Sequence, residues 1–328
     1  MSTVVNVAIH ASQFPNQVRR DLLESLRSRQ VNHKFHYDSH KQTQQWLKLH
    51  QAYSPSRTDS DCAGVYDASF AAVTQRVEQD NAHLIGLGCG GGQKDARLLR
   101  LLLERGKSVG YTPVDVSVAM VLVAHQAAMP ILAGGNCSPL VCDFLTANDL
   151  PENEAFHSSD ETERLMTFFG MIPNFEPQVI LPKLAGFLRA NDHLLFSANL
   201  APGADYAAGV NRILPLYDNG LTRDWLMTFL IDLGVTMQDG TLRFSVEDCP
   251  AGSGLKRVEA NFIFARATQI SIDEETFAFP SGDSIRLFFS YRHTPETINR
   301  LLKQHGVSVL DQWITASQEE GVFLCRRS

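Results

Sequence analysis

Residues 84–95 read LIGLGCGGGQKD, an apolar run that meets five glycines and then a polar, helix-forming stretch. A buried strand, a glycine turn and a helix start expose backbone N–H groups at the positive end of the helix dipole. That arrangement receives the polar part of a nucleotide-type cofactor. Glycine suits the loop because a side chain would hold the cofactor off the backbone.

Two cofactor patterns overlap here. Gly86-Leu87-Gly88-Cys89-Gly90-Gly91 satisfies the G-x-G-x-x-G of dinucleotide sites. Gly88, Gly90 and Gly92 satisfy the looser G-x-G-x-G of S-adenosylmethionine (SAM) sites. The next two apolar runs decide between them. YTPVDVS ends in Asp115, an acid placed for the ribose hydroxyls of either cofactor. SPLVCDFL ends in Asp143-Phe144, a carboxylate for an exocyclic amine beside an apolar face for a purine ring. Asp143 alone would serve equally as a helix N-cap. Three successive strand tips of this kind favour SAM over NAD.

The elements that must position these residues alternate. A helix over 66–79 leads into the first of the three strands, helices over 94–103 and 116–133 separate them, and RLMTFFGMIPNFEP reads as a fourth strand ending at Pro173-Asn174. That turn would place Asn174 over the ligand crevice of a parallel sheet. A helix over 179–188 and the strand HLLFSANLAP complete the repeat. Alternation of this period predicts an α/β fold with a doubly wound, Rossmann-like sheet of the class I SAM-methyltransferase type. Its core is expected over 61–200 plus 293–328, with a smaller α+β substrate or lid domain over 1–60 plus 201–292. In the latter, runs at 242–246, 258–265 and 284–291 alternate as antiparallel strands. Thr294 and Gly306 bracket a helix as cap and stop, and VSVLDQWITASQEEGVFLCRRS reads as a closing hairpin.

Composition narrows the partners. A net charge of −7 and a pI near 5.9 oppose a nucleic-acid backbone as ligand. Six scattered cysteines without a CxxC pair suggest a reducing cytoplasm and neither zinc nor a disulfide framework. The N-terminus lacks a signal peptide's pattern, and the apolar run at 116–133 is broken by Ser117, His125 and Gln126, so no membrane span is expected. His33, His36, His40 and His50 have no matching acid or thiol cluster, so no metal is expected. In the same loop-like segment Tyr37 and Tyr53 offer hydroxyls, as site groups or as packing. Oligomeric state is not legible.

Several stretches together resemble the SAM-dependent histidine Nα-methyltransferases of ergothioneine biosynthesis. Related proteins include the methyltransferase domain of ovothiol synthases and fungal dimethylallyltryptophan N-methyltransferases. KFHYD and AYSPSRTD resemble the family's tyrosine-containing segment, LGCGGGQKDARLL its glycine loop, YTPVDVS and CDF its strand tips, GMIPNFEP its asparagine turn and LYDNGLTRDWL its lid segment. The resemblance implies that Gly88, Lys94, Asp115, Asp143 and Phe144 bind SAM, to which the glycine pattern adds Gly90. It implies that Tyr37, Tyr53, Asn174 and Tyr217 hold the amino and carboxylate groups of an amino-acid-like amine, with Tyr53 or a water on Asn174 taking the proton. S-adenosylhomocysteine would be the product.

Three departures bear on function. Family members have an acid where this chain has Gly86, and a glycine-rich polar turn where it has Met171-Ile172-Pro173. Where the family has a glutamate and a serine that grip the imidazole, this chain has Arg286 and Phe288. A guanidinium reverses the charge preference of a carboxylate, so an acidic or aromatic side chain, or an amine on a carboxylated intermediate, is expected in place of histidine. Three other readings stand beside this one: methyl transfer to oxygen or carbon, SAM binding without transfer, and an NAD oxidoreductase. The last needs a catalytic His or a Tyr-Lys pair, and no convincing one is found.

Overall fold

The computed structural model describes residues 4–132, 136–150, 156, 159, 161–249 and 253–328. The chain divides into two compact units, one of Met1–Phe14, Pro55–Leu200 and Thr294–Ser328, the other of Pro15–Ser54 and Ala201–His293. In the first unit β1 (Ala8–Ile9), β2 (Asn81–Leu87), β3 (Ser108–Asp115), β4 (Leu140–Val141), β5 (Thr162–Phe168) and β6 (His193–Asn199) pair in parallel. Their side chains alternate between two cores, as the period of a strand requires. Leu84, Leu165 and Leu195 face the helices Ser60–Arg76 and Gln93–Glu104 through Phe70, Val73, Leu98 and Leu102. Ile85, Met166 and Phe196 face the helices Pro177–Phe187 and Pro295–Gln304 through Ile180, Leu184, Ile298 and Leu302. Each fully buried Leu or Phe contributes about 1.5–3 kcal/mol.

The second unit is built on an antiparallel sheet of β7 (Gly240–Asp248), β8 (Lys256–Phe264) and, after a hairpin of β9 (Thr268–Ile272) with β10 (Glu275–Phe279), β11 (Ser284–Arg292). The three runs that alternate in the sequence are β7, β8 and β11; the β9–β10 hairpin was not anticipated. Helices Tyr206–Tyr217 and Gly220–Asp232 are separated at Asn219, whose side chain accepts from the Thr222 N–H. The segment expected as a loop holds a helix, His40–Tyr53. A reciprocal capping box between Ser39 and Gln42 starts it, a signal present in the sequence.

β12 (Val307–Ile314) and β13 (Glu320–Arg327) return to the first sheet as the expected hairpin, with β13 antiparallel to β6. The complete order is β1-β4-β3-β2-β5-β6-β13-β12. Successive strands leave β2 in opposite directions, so the glycine loop after β2 sits at the switch point where doubly wound sheets bind ligands. The doubly wound expectation holds, with four local corrections. β4 has only two residues, because its pairing with β1 and β3 is confined to Leu140 and Val141. β1 adds a strand at the sheet edge, which draws residues 4–14 into this unit and away from the substrate domain expected to hold them. β5 ends at Phe168, and Asn174 stands beyond it on a short turn, Ile172–Asn174. The helix expected to reach residue 133 spans Val118–Ala128; its expected last residue lies outside the described ones.

Gly92, with φ of 69°, begins the glycine-loop helix, and a Cβ there would lie 2.6 Å from the Ala124 Cα. Gly92→Ala is therefore expected to lose about 1–3 kcal/mol from backbone strain and overpacking, seen as a lower urea midpoint. An unchanged midpoint would contradict this packing.

Candidate active site

At the carboxyl end of the first sheet the glycine loop is fastened to β3. The Cys89 N–H donates to the Val114 carbonyl at 3.0 Å and the Gly90 N–H to Asp115 Oδ2 at 3.2 Å. Asp115 Oδ1 accepts from the Ser117 N–H at 3.1 Å. Burial raises the Asp115 carboxyl to about 6, against the pull of these N–H groups. Gly88 has φ of 63°, and a Cβ there would meet Met171 Cγ at 2.8 Å, so the turn that carries Asn174 abuts the loop. Asn174 itself is half-buried.

Asp143 and Phe144 follow β4. Asp143 Oδ1 accepts from the Leu145 N–H at 3.0 Å, a turn-capping bond that shows the bland reading of this acid to be part of its role. The Asp143 N–H donates to Ser12 Oγ at 2.9 Å, and the Gln13 side chain donates to the Val116 carbonyl at 2.7 Å. The N-terminal segment after β1 thus holds two strand tips, which nothing in its own sequence signals. Phe144 packs 5.0 Å from Phe187, centroid to centroid. The Lys94 ammonium lies 3.8 Å above the Tyr66 ring and 5.3 Å from that of Phe169, and burial lowers its pKa. Gly88, Gly90, Asp115, Asp143 and Phe144 therefore gather at adjacent strand ends, with Lys94 in the first turn of the helix after the loop.

In the second unit Tyr37, Tyr217 and Phe288 share an aromatic cluster with two residues the sequence did not single out as site groups, His33 and Trp225. Phe288 lies 5.8 Å from both the His33 and Trp225 rings and 6.1 Å from Tyr217. Tyr37 is hydrogen-bonded to His33 Nε2 at 3.0 Å. Beyond Phe288 the cluster becomes polar: Arg292 Nη2 donates to the Tyr217 hydroxyl at 3.0 Å, which donates to Ser290 Oγ at 2.8 Å.

Two expected members stand elsewhere. Arg286 and Phe288, two apart, would share a strand face, but the register of β11 slips between them, so that Arg286 opposes Asn261 and Phe288 opposes Ala260. The bulge turns Arg286 to the opposite face. There it donates to Gln30 Oε1 at 2.7 Å and Glu259 Oε1 at 3.3 Å, with its guanidinium 5.0 Å from the Phe289 ring. Tyr53 ends the helix His40–Tyr53 with 54% of its surface exposed. It lies two turns, roughly 10 Å, beyond Trp46, the residue of that helix in ring contact with Tyr37.

Among the described residues no group of three or more His, Cys, Asp or Glu is arranged to hold a metal ion, and no helix is long and apolar enough to cross a membrane.

A parallel sheet reversed at β2, a glycine cradle and acids on the next two strand ends, closed by an antiparallel hairpin, define a SAM-methyltransferase fold. Over residues 18–327 the chain matches the family described as histidine-specific, SAM-dependent methyltransferases, and it belongs to that family. It is similar to the N-methyltransferase imqF of Aspergillus flavus, 24% identical over 281 residues, covering 83% of this chain and 73% of that protein. Among solved structures it is similar to the CcbJ methyltransferase from Streptomyces caelestis, at 11% identity and a TM-score of 0.42 over 82% of this chain and 98% of that one. It is also similar to the mitomycin 7-O-methyltransferase MmcR, at 13% identity and a TM-score of 0.44 over 97% and 70%.

Burial lowers His33 to about 3, with His36 nearby adding to the effect, and lowers His36 to about 4, partly offset by its bond to the Leu287 carbonyl. Both folded values lie below the ordinary one, so each neutral ring stabilises the fold fully above about pH 6.5. That contribution is lost as the pH falls toward the folded value. In an NMR titration the His33 ring is expected to remain neutral at pH 5. A His33 that titrates near its ordinary value would contradict the packed, neutral cluster.

Proposed function

We propose that the protein is a SAM-dependent N-methyltransferase whose acceptor is an amino-acid-like amine with an aromatic side chain, not histidine. The observation that carries the acceptor reading is the face of β11 that bears Phe288, where aromatic rings lead to the Arg292–Tyr217–Ser290 hydrogen bonds. Rings suit an apolar side chain, and a guanidinium behind a tyrosine hydroxyl suits a carboxylate. An acidic side chain is disfavoured because Arg286 is engaged with Glu259 and Gln30. An imidazole is disfavoured because the neighbours of Phe288 on its face are the His33, Tyr217 and Trp225 rings, while Glu259 lies on the other face.

Bound SAM would supply a sulfonium methyl carbon for in-line attack by an amine lone pair, the N–C bond forming as the C–S bond breaks and S-adenosylhomocysteine leaves. In this reading Gly88 and Gly90 give the cofactor access to backbone, Lys94 faces its carboxylate, Asp115 accepts from the ribose hydroxyls, and Asp143 with Phe144 holds the adenine. Tyr37 and Tyr217 hold the acceptor's amino and carboxylate groups. Asn174 orients the acceptor amine through a water that takes its proton. Such roles require alignment and a deprotonated nitrogen, with no strong base.

Steady-state kinetics with aromatic amino acids and histidine test the acceptor class. The wild type is expected to favour an aromatic amino acid in kcat/KM by about tenfold or more, the scale of an apolar pocket's discrimination. Phe288→Asp is expected to narrow that ratio about tenfold. A wild type that prefers histidine, or a ratio untouched by the substitution, would contradict the proposal.

A further inference from the structure

Gly86 in β2 has no side chain, yet its side-chain volume is filled. A Cβ built there would lie 2.2 Å from Asp95 Oδ2 and 3.1 Å from Asp95 Cγ. Asp95 comes from the first turn of the glycine-loop helix and is 3% exposed. Its Oδ2 accepts from the Tyr111 hydroxyl of β3 at 2.8 Å and its Oδ1 from the Thr167 hydroxyl of β5 at 2.8 Å. β3 and β5 are the two strands that flank β2, and Gly86 itself pairs with Thr167. The carboxylate therefore ties both neighbours to the helix across the one point of β2 where no side chain intervenes.

We infer that Asp95 is a positioning residue of the SAM site, supplying from the helix the acid that Gly86 cannot carry on the strand. Positions 86 and 95 exclude each other: an acid fits at either but not at both, because a Cβ at 86 would overlap the Asp95 oxygen. Held in this way, the start of the helix keeps a fixed distance from three strand ends. The loop between Leu87 and Gln93, which carries Gly88 and Gly90, is set by that distance. A carboxylate accepts from both hydroxyls at once, whereas an amide offers only one acceptor oxygen.

The inference concerns cofactor binding alone and does not depend on which acceptor is methylated. Calorimetry with SAM is the test, on Asp95→Asn, Asp95→Ala, Gly86→Asp and the double variant Gly86→Asp/Asp95→Ala, each checked for folding by its melting temperature. Asp95→Asn and Asp95→Ala are expected to raise the Kd for SAM tenfold or more. Gly86→Asp alone is expected to bind no better than these or to fail to fold. The double variant, with the acid moved to the strand, is expected to recover to within about threefold of the wild type. A double variant as weak as Asp95→Ala would overturn the exchange. Asp95→Asn with the Kd of the wild type would overturn the role of the carboxylate, even if the double variant does not fold.

Discussion

A carboxylate taken out of water must be met by donors, and the cofactor end of this protein rests on that constraint. Burial lifts Asp95 and Asp115 to about 6, and each is answered from more than one element. Tyr111 and Thr167 serve Asp95, while Gly90 and Ser117 serve Asp115. Because the donors belong to different elements, satisfying the charges also fixes the spacing of strands, loop and helix. The arrangement is stiff for an energetic reason. Removing one donor leaves a buried charge short of a partner, which costs more than the bond contributes.

The second unit solves the opposite problem, keeping His33 and His36 uncharged. His36 donates to the Leu287 carbonyl at 2.6 Å, at the residue where β11 slips its register. Trp225 donates to the His36 carbonyl at 2.8 Å. The same bulge that creates this acceptor also separates Phe288 from Arg286. One extra residue in a strand thus decides whether its sheet face is charged or aromatic.

Periodicity made the parallel sheet legible, since apolar runs, glycine stops and caps such as Thr294 are local signals that packing reinforces. The tips at Gly88, Asp115 and Asp143 were legible because strand ends in such a sheet carry ligands by geometry. Arg286 was not. Its face depends on a bulge, which arises from pairing with β8 and leaves no mark in composition or spacing. The pairing of β1 with β4, and with it Ser12 and Gln13, is likewise a long-range event. Asp95 is an intermediate case: the missing acid at Gly86 was visible, but only the approach of the helix shows where its replacement stands.

The most direct test of the account is transfer of a 13C-labelled methyl from SAM to an aromatic amino acid, followed by NMR of the product. The account predicts one product series with the label on the amine nitrogen, formed only with enzyme and together with S-adenosylhomocysteine. Label on oxygen or carbon, or SAM bound without any transfer across aromatic amino acids and histidine alike, would contradict it.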